Sequence, residues 1–278
     1  MAVLLALLTA CVYGTADYMG GRATRNVPPV VVTFVGQFFG MLVLAGVAFA
    51  SGIPAPHAAD WAWSALAGLL GSTGLLAFYS AMSAGHMTVV APVAAVLNAL
   101  VPVAVGFAQG ERPGVLVLIG IPLALLAIAL ISDVLGPGHH RAPARVVALA
   151  AVGGSLFGMI LVALHQTSSG SGIWPVLIMR FVSTPWMMVL VIVTRQRFTT
   201  VRANKGTVIG SGILDSLANW FYVLAVRQGL LSVVSVIVAL YPGSTMLLAV
   251  GVDKERIHRS QVLGVVLAGV ALALIALS

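Results

Sequence analysis

The chain has 278 residues, of which 60% are hydrophobic and only 8% are charged, with a formal net charge of +7. Soluble domains carry about 25% charged residues, so the composition excludes a soluble globular protein and indicates lipid as the main solvent. A single cysteine, Cys11, excludes a disulfide framework and a cysteine-based zinc site. Nearly all basic residues sit in short gaps between apolar runs, which argues against a nucleic acid partner.

Apolar runs follow one another along the whole chain, each long enough to cross a bilayer as a helix of about 20 residues. The ten runs cover residues 2–20, 29–50, 61–82, 87–108, 113–133, 145–165, 173–194, 206–226, 231–251 and 259–277. No Lys or Arg precedes the first run, so we expect it to be a retained helix rather than a cleaved signal. A polar, glycine- and proline-containing segment separates the fifth run from the sixth. The sequence therefore predicts two five-helix units, at 1–134 and 145–278, joined by a linker at 135–144.

The two units are related by an internal repeat. Moving the sequence forward by 144 residues places Glu111-Arg112 on Glu255-Arg256 and Gly120 on Gly264, without a gap over the last two runs of each unit. A duplication on this scale is an architectural feature. Because each unit has an odd number of spans, the second must be inverted relative to the first. We therefore predict an all-α integral membrane protein of ten transmembrane helices, arranged as two inverted five-helix repeats.

Basic residues are distributed unequally between the two predicted membrane faces. The gaps after spans 1, 3, 5, 7 and 9 contain eleven Lys and Arg residues, whereas those after the even-numbered spans contain only Arg112 and Arg227. Positive residues favour the cytoplasmic side. The sequence thus predicts that the odd-numbered gaps are cytoplasmic and that both termini are outside.

Three ionisable residues, Asp17, Arg180 and Asp215, lie inside predicted spans. A charge at this depth costs about 2.5–3.5 kcal/mol on insertion scales, so these side chains should face the protein interior or water. Arg180 and Asp215 lie at depths that differ by only about 6 Å, at 1.5 Å per residue. They could form a structural ion pair, or Arg180 could bind a substrate carboxylate while Asp215 binds an amine or a proton.

Neutral polar and aromatic residues lie at similar depths. Asp215, Asn219 and Tyr222 share one face of the eighth span by their spacing. The other members of this set are Tyr13, Gln37, Asn98 and Tyr241. A group of this kind either forms hydrogen bonds between helices or lines a cavity with aromatic walls and a few polar anchors. We favour the cavity and treat all nine residues as candidate substrate-binding residues.

No other chemistry is indicated by motifs. The histidines share no metal-ligand spacing with a carboxylate pair, and the sequence has no nucleotide-binding loop, metalloprotease helix or nucleophile elbow. We therefore expect no catalytic residues, no metal and no cofactor. Gly36-x-x-x-Gly40 and Gly154-x-x-x-Gly158 are patterns typical of closely packed helices. Proline residues within spans, Pro242 among them, predict kinks or breaks.

The chain resembles the EamA-type transporters of the drug/metabolite transporter superfamily. The resemblance is carried by Tyr13-Gly14, Phe157-Gly158, Gly110-Glu111, Glu255-Arg256 and Arg180, and by the glycine-spaced helices that start at Val115 and Gln261. It covers nearly the whole chain, and it departs from the family at Lys254, where glycine is usual, and in the predicted orientation of the termini. It implies a carrier that exports or exchanges small metabolites such as amino acids. It also implies a central cavity lined mainly by helices 1, 3, 4, 6, 8 and 9.

We therefore predict a secondary transporter of the plasma membrane that works by alternating access, with a small polar or amphiphilic solute and the lipid bilayer as its partners. A homodimer is compatible with the sequence. The alternatives are an integral-membrane enzyme acting on lipid-linked substrates, which would need clustered catalytic groups near one interface, and a scaffold, which would not need the inverted duplication.

Overall fold

The computed structural model describes residues 1–82, 87–131, 143–198, 201–254 and 258–277. Within these ranges the regular structure is helical, with one 3-10 turn at Ser169–Ser171. The helices are α1 Ala2–Thr24, α2 Pro29–Ala50, α3 Ala58–Met82, α4 Met87–Ala108, α5 Val115–Ile131, α6 Ala144–His165, α7 Trp174–Val193, α8 Val201–Val226, α9 Leu231–Val238, α10 Tyr241–Asp253 and α11 Arg259–Ala276. The predicted linker lies outside the described residues apart from its last two positions, and so does the Glu255-Arg256 turn.

Eight helical segments in the described ranges are long and apolar enough to cross a membrane. The fourth and fifth predicted spans contain shorter apolar segments. These are Val93–Ala108 within α4 and Val115–Ile131, which is the whole of α5. The all-helical, membrane-embedded fold class is confirmed.

The ninth predicted span is divided into two helices. α9 ends at Val238 and α10 begins at Tyr241, with Pro242 in its first turn. Proline has no N–H, and its ring collides with the carbonyl group four residues earlier in a continuous helix. For Pro242 that residue is Val238, where α9 ends, so the break lies where the proline requires it.

Glycines allow two pairs of helices to approach closely. A Cβ atom on Gly212 of α8 would lie 2.0 Å from the Cα atom of Gly36 in α2. A Cβ atom on Gly154 of α6 would lie 2.4 Å from the carbonyl oxygen of Ala94 in α4. Neither position has room for a side chain, which confirms the close packing predicted from the two glycine patterns.

Helix contacts in one half have counterparts in the other. α1 packs along α8 and α3 packs along α6, while α2 also contacts α8 and α7 also contacts α3. α5 and α11, which follow the two copies of the repeated Glu-Arg pair, pack against each other. A Cβ atom on Gly120 would lie 2.9 Å from Ile275, and one on Gly264 would lie 2.8 Å from Ile131. Each glycine near the start of one helix therefore meets the end of the other, so the pair is antiparallel.

Candidate substrate cavity

A cavity of about 760 Å³ lies between the helices of the two halves. Eight of the nine predicted site residues line it, namely Tyr13, Asp17, Gln37, Asn98, Arg180, Asp215, Asn219 and Tyr241. The lining comes from α1, α3, α4, α6, α8, α9 and α10, and also from α2, α7 and α11, which sequence reasoning had not placed among the main lining helices; α11 contributes Gln261.

Arg180 and Asp215 form an ion pair in the wall of the cavity. Nη2 of Arg180 donates a hydrogen bond to Oδ2 of Asp215, and its Nε donates to Oγ of Ser216 at 3.2 Å. The Arg180 side chain is only 5% exposed, whereas that of Asp215 is 38% exposed and faces the cavity. Nδ2 of Asn219 donates to the carbonyl oxygen of Asp215 at 2.8 Å. The pair expected from the matching depths of α7 and α8 is therefore present.

Asp17 differs from Asp215 because it has no basic partner. Its side chain is exposed and lines the cavity, and it makes no hydrogen bond or ion pair with any residue that the structure describes. Tyr13 precedes it by one turn and Gly21 follows by one turn, so all three lie on the same face of α1. This face of α1 forms one wall of the cavity.

Two pairs of aromatic rings form the apolar walls. The ring centroids of Tyr13 and Tyr241 are 6.3 Å apart, and those of Phe78 and Phe157 are 5.9 Å apart. Phe78 and Phe157 were not among the predicted site residues. The repeat offered a signal for both, because a shift of 144 residues aligns Tyr13 with Phe157 and Phe78 with Tyr222, and both tyrosines were predicted site residues.

Two polar side chains in the lining have atoms with no hydrogen-bond partner in the described part of the chain. They are Oε1 of Gln37 and the buried Oγ of Ser183. Ser183 lies three residues after Arg180 and therefore on the same face of α7. Its position relative to Arg180 could have identified it. Buried polar atoms usually have partners, so these two atoms represent hydrogen-bonding capacity in the cavity wall that the described residues do not use.

Tyr222 lies outside the cavity lining. It is completely buried, and its hydroxyl donates to the carbonyl oxygen of Leu161 at 2.8 Å and lies 3.5 Å from Oγ of Ser235. The spacing that placed it with Asp215 and Asn219 describes one face of α8, but the cavity extends along that face only as far as Asn219. Tyr222 instead connects α8 to α6 and α9, so we do not include it in the proposed site.

The cavity reaches one end of the helix bundle, which we call the open end. Lining residues there include Thr24 at the end of α1, Thr33 near the start of α2 and Val250 near the end of α10. A smaller pocket of about 390 Å³ adjoins the cavity at this end and shares Asp17 with it. Arg22 and Arg25 in this pocket each lie 3.6 Å from Asp253. Because both arginines are more than half exposed, these ion pairs contribute at most about 1 kcal/mol each.

At the opposite end, which we call the closed end, no cavity-lining residue belongs to the loops at 51–57, 109–114, 166–173 and 227–230, all of which the structure describes. Arg227 connects two of these loops. Its Nη2 donates to the carbonyl oxygen of Ser168 at 2.8 Å and to Oγ of Ser171 at 2.9 Å, and its Nη1 donates to the carbonyl oxygen of Gly172 at 3.2 Å. Burial lowers the pKa of Arg227, and the Asp60 carboxylate opposes that shift.

Asp60 and Trp174 complete the closed end. The Asp60 carboxylate accepts hydrogen bonds from the backbone N–H of Ser168 at 2.7 Å and from its hydroxyl at 2.6 Å. Nε1 of Trp174 donates to the carbonyl oxygen of Ile53 at 3.0 Å. The hydrogen bonds of Asp60 and Trp174 thus fasten the first half to the second, and those of Arg227 join two loops of the second half. Sequence reasoning did not identify this network, because half of its acceptors are backbone atoms and its partners lie far apart in sequence.

Glu111 is bound to the second half at the same end. Its carboxylate accepts hydrogen bonds from the backbone N–H groups of Leu231 and Ser232, which open α9. Carboxylates at a helix N-terminus satisfy free N–H groups and interact favourably with the helix dipole. Glu111, in the first copy of the Glu-Arg pair, therefore holds the start of a helix that belongs to the other half.

Metal binding finds no support in the described residues, where no group of three His, Cys, Asp or Glu side chains could hold an ion. The lining of the cavity provides charged groups, hydrogen-bonding groups and aromatic surfaces.

Comparison with known proteins identifies a family and a fold. The sequence model of the EamA-like transporter family matches residues 1–133 and again residues 143–277. A comparison with curated proteins gives no significant match. Among solved structures, 28 chains match. One crystal structure, whose description names no activity, shares 18% sequence identity with a TM-score of 0.83, over 99% of this chain and 98% of the other. At this identity the likeness establishes the fold alone.

Proposed function

Because the chain belongs to the EamA-like transporter family, and is thus a multi-pass membrane protein with the plasma membrane as its usual location, we propose that it is a secondary transporter. It exports or exchanges small metabolites, such as amino acids and similar polar or amphiphilic solutes, by alternating access. The observation that carries the proposal is a cavity between two halves that reaches one end of the bundle and is sealed at the other by hydrogen bonds.

We further propose that the two halves are inverted repeats. The contacts between helices support this arrangement. The repeat relates α1 to α6 and α8 to α3, and α1 packs on α8 as α6 packs on α3. The antiparallel contact of α5 with α11 through equivalent glycines also supports it. Two halves related in this way can rock about a site between them, so that the closed and open ends exchange roles.

The direction of the open end follows from the charge distribution. The open end lies on the side of the gaps that contain eleven basic residues, which we assign to the cytoplasm. In this assignment both termini are outside, and the described conformation receives solute from the cytoplasm. Such a conformation is the loading state of an exporter or of an exchanger.

The experiment that tests the proposal is transport in proteoliposomes. The purified chain is reconstituted, loaded with each member of a panel of unlabelled amino acids and amines, and assayed for exchange with the same solute in labelled form. We expect accumulation of at least one labelled solute above that in protein-free liposomes. Absence of exchange for the whole panel, with correctly folded protein in the liposomes, would contradict the proposal.

A further inference from the structure

We propose that Asp17 binds the ammonium group of a solute with a net positive charge, and that this subsite makes the cavity selective for monocations over zwitterions and anions. The inference rests on the proposed transport function and restricts its solutes, named there as amino acids and similar polar or amphiphilic compounds, to those with a net positive charge. It is built from the charges that line the cavity, from the partners that each of them has, and from the aromatic rings around the unpaired charge.

The charge balance of the lining is negative. Among the lining residues that the structure describes, only Asp17, Arg180 and Asp215 carry formal charges. Arg180 and Asp215 neutralise each other through their ion pair. The remaining charge of the cavity lining is the carboxylate of Asp17, whereas Arg22, Arg25 and Asp253 line the adjoining pocket and pair with one another there. A solute with one positive charge therefore brings the lining of the cavity itself to neutrality.

Asp17 also has hydrogen-bonding capacity that the described residues do not use. An ionised carboxylate accepts hydrogen bonds through both oxygens, and none of the described residues donates to this one. Arg180, by contrast, already donates through Nη2 to Asp215 and through Nε to Ser216. Arg180 is only 5% exposed and its charge is already balanced by Asp215, so it offers little net attraction to a solute carboxylate, whereas an ammonium group would meet an unbalanced carboxylate at Asp17 and displace no protein group there.

Aromatic rings flank the position of the proposed ammonium group. Tyr13 lies one turn from Asp17 on the same face of α1, and Tyr241 faces Tyr13 across 6.3 Å. Cations are attracted to aromatic faces within about 6 Å of the ring centroid. Phe78 and Phe157 add a second aromatic wall, which suits an apolar body attached to the charged group. The site thus fits an amine or quaternary ammonium compound with an apolar or aromatic substituent.

The test uses probes of similar size that differ in charge. They are phenyltrimethylammonium, a permanent cation; phenylalanine, a zwitterion; phenylpropionate, an anion; and phenylacetamide, which is neutral. Binding to the full chain in nanodiscs is measured by calorimetry, and transport is measured by counterflow in proteoliposomes. We expect the cation to bind at least tenfold more tightly than the anion and to be transported.

Variants of Asp17 separate the subsite from a general effect on folding. Asp17→Asn should weaken binding of the cation at least tenfold and change binding of the neutral amide less than twofold, while Asp17→Glu should restore most of the affinity for the cation. Thr15→Ala is the matched control on α1, because Thr15 bonds only to Cys11 of its own helix and does not line the cavity. It should leave the affinity for the cation unchanged.

Three outcomes would overturn the inference. Transport of phenylalanine or phenylpropionate without the cation would contradict the assignment while leaving the transport function intact. An equal loss of affinity for the cation and the neutral amide in Asp17→Asn would show that the residue acts on the fold of the cavity. Failure to transport any of the four probes or any solute of the wider panel would contradict both the inference and the proposed function.

Discussion

Replacement of Arg227 by methionine should open the closed end. The change removes three hydrogen bonds, of 2.8, 2.9 and 3.2 Å, that link Arg227 to Ser168, Ser171 and Gly172. At about 0.5–1.5 kcal/mol each, they sum to about 1.5–4.5 kcal/mol. Because Arg227 is only partly buried, we expect about 1.5–3 kcal/mol, which shifts the balance between the two access states by roughly ten- to a hundredfold.

A cysteine inside the cavity reports this shift. In a Cys11→Ser background, Ile160→Cys provides a partly exposed thiol on the part of α6 that lines the cavity, and an impermeant maleimide is added to the side of the closed end. The thiol should react slowly in the parent and at least tenfold faster after Arg227→Met. Arg112→Met is the matched control, because Arg112 lies in an exposed loop at the same end and bonds to no described residue. Equal labelling rates in the parent and in the Arg227→Met variant would refute the role assigned to the network, and acceleration by Arg112→Met would show that charge alone is responsible.

Three further predictions concern two contacts between the halves and the ion pair within the second half. Gly212→Ala should lower the melting temperature of the detergent-solubilised chain by several degrees, because the added Cβ would lie 2.0 Å from the Cα atom of Gly36; overpacking of this kind costs about 1–3 kcal/mol. Gly206→Ala in the same helix, where no atom lies within 4 Å of the added Cβ, should not lower it, and equal melting temperatures for the two variants would count against the packing of α2 on α8. Glu111→Ala should cost about 1–2 kcal/mol as a lost helix cap and speed hydrogen exchange at the Leu231 and Ser232 amides, and unchanged exchange there would contradict the capping contact. Arg180→Met should destabilise the chain more than the double variant Arg180→Met with Asp215→Asn, because the single change leaves Asp215 without its partner; losses that simply add would show that the two residues do not interact.

Hydropathy and the repeat predicted much of the fold because both are properties of the sequence pattern itself. Ten apolar runs follow from residue type, and the shift of 144 residues is visible in the Glu-Arg pair and the glycines. The Arg180–Asp215 pair was predictable since both residues lie at comparable depth in consecutive helices. The place of the break before Pro242 follows from the chemistry of proline.

Other features depend on tertiary contacts that no local pattern encodes. Spacing alone placed Tyr222 with Asp215 and Asn219, but its burial depends on how far the cavity extends along α8. Loops far apart in sequence are joined at the closed end by Asp60 and Arg227, largely through backbone atoms.

The most direct test of alternating access is to fasten the closed end covalently. In the Cys11→Ser background, Asp60→Cys and Ser168→Cys place two thiols at positions whose native side chains are in contact. Oγ of Ser168 and Oδ2 of Asp60 are 2.6 Å apart. If the cavity must open at this end in every cycle, oxidation of the pair in proteoliposomes should abolish solute exchange, and reduction should restore it, while each single cysteine variant remains insensitive to the oxidant. Full exchange activity in chains with the disulfide formed would contradict the account.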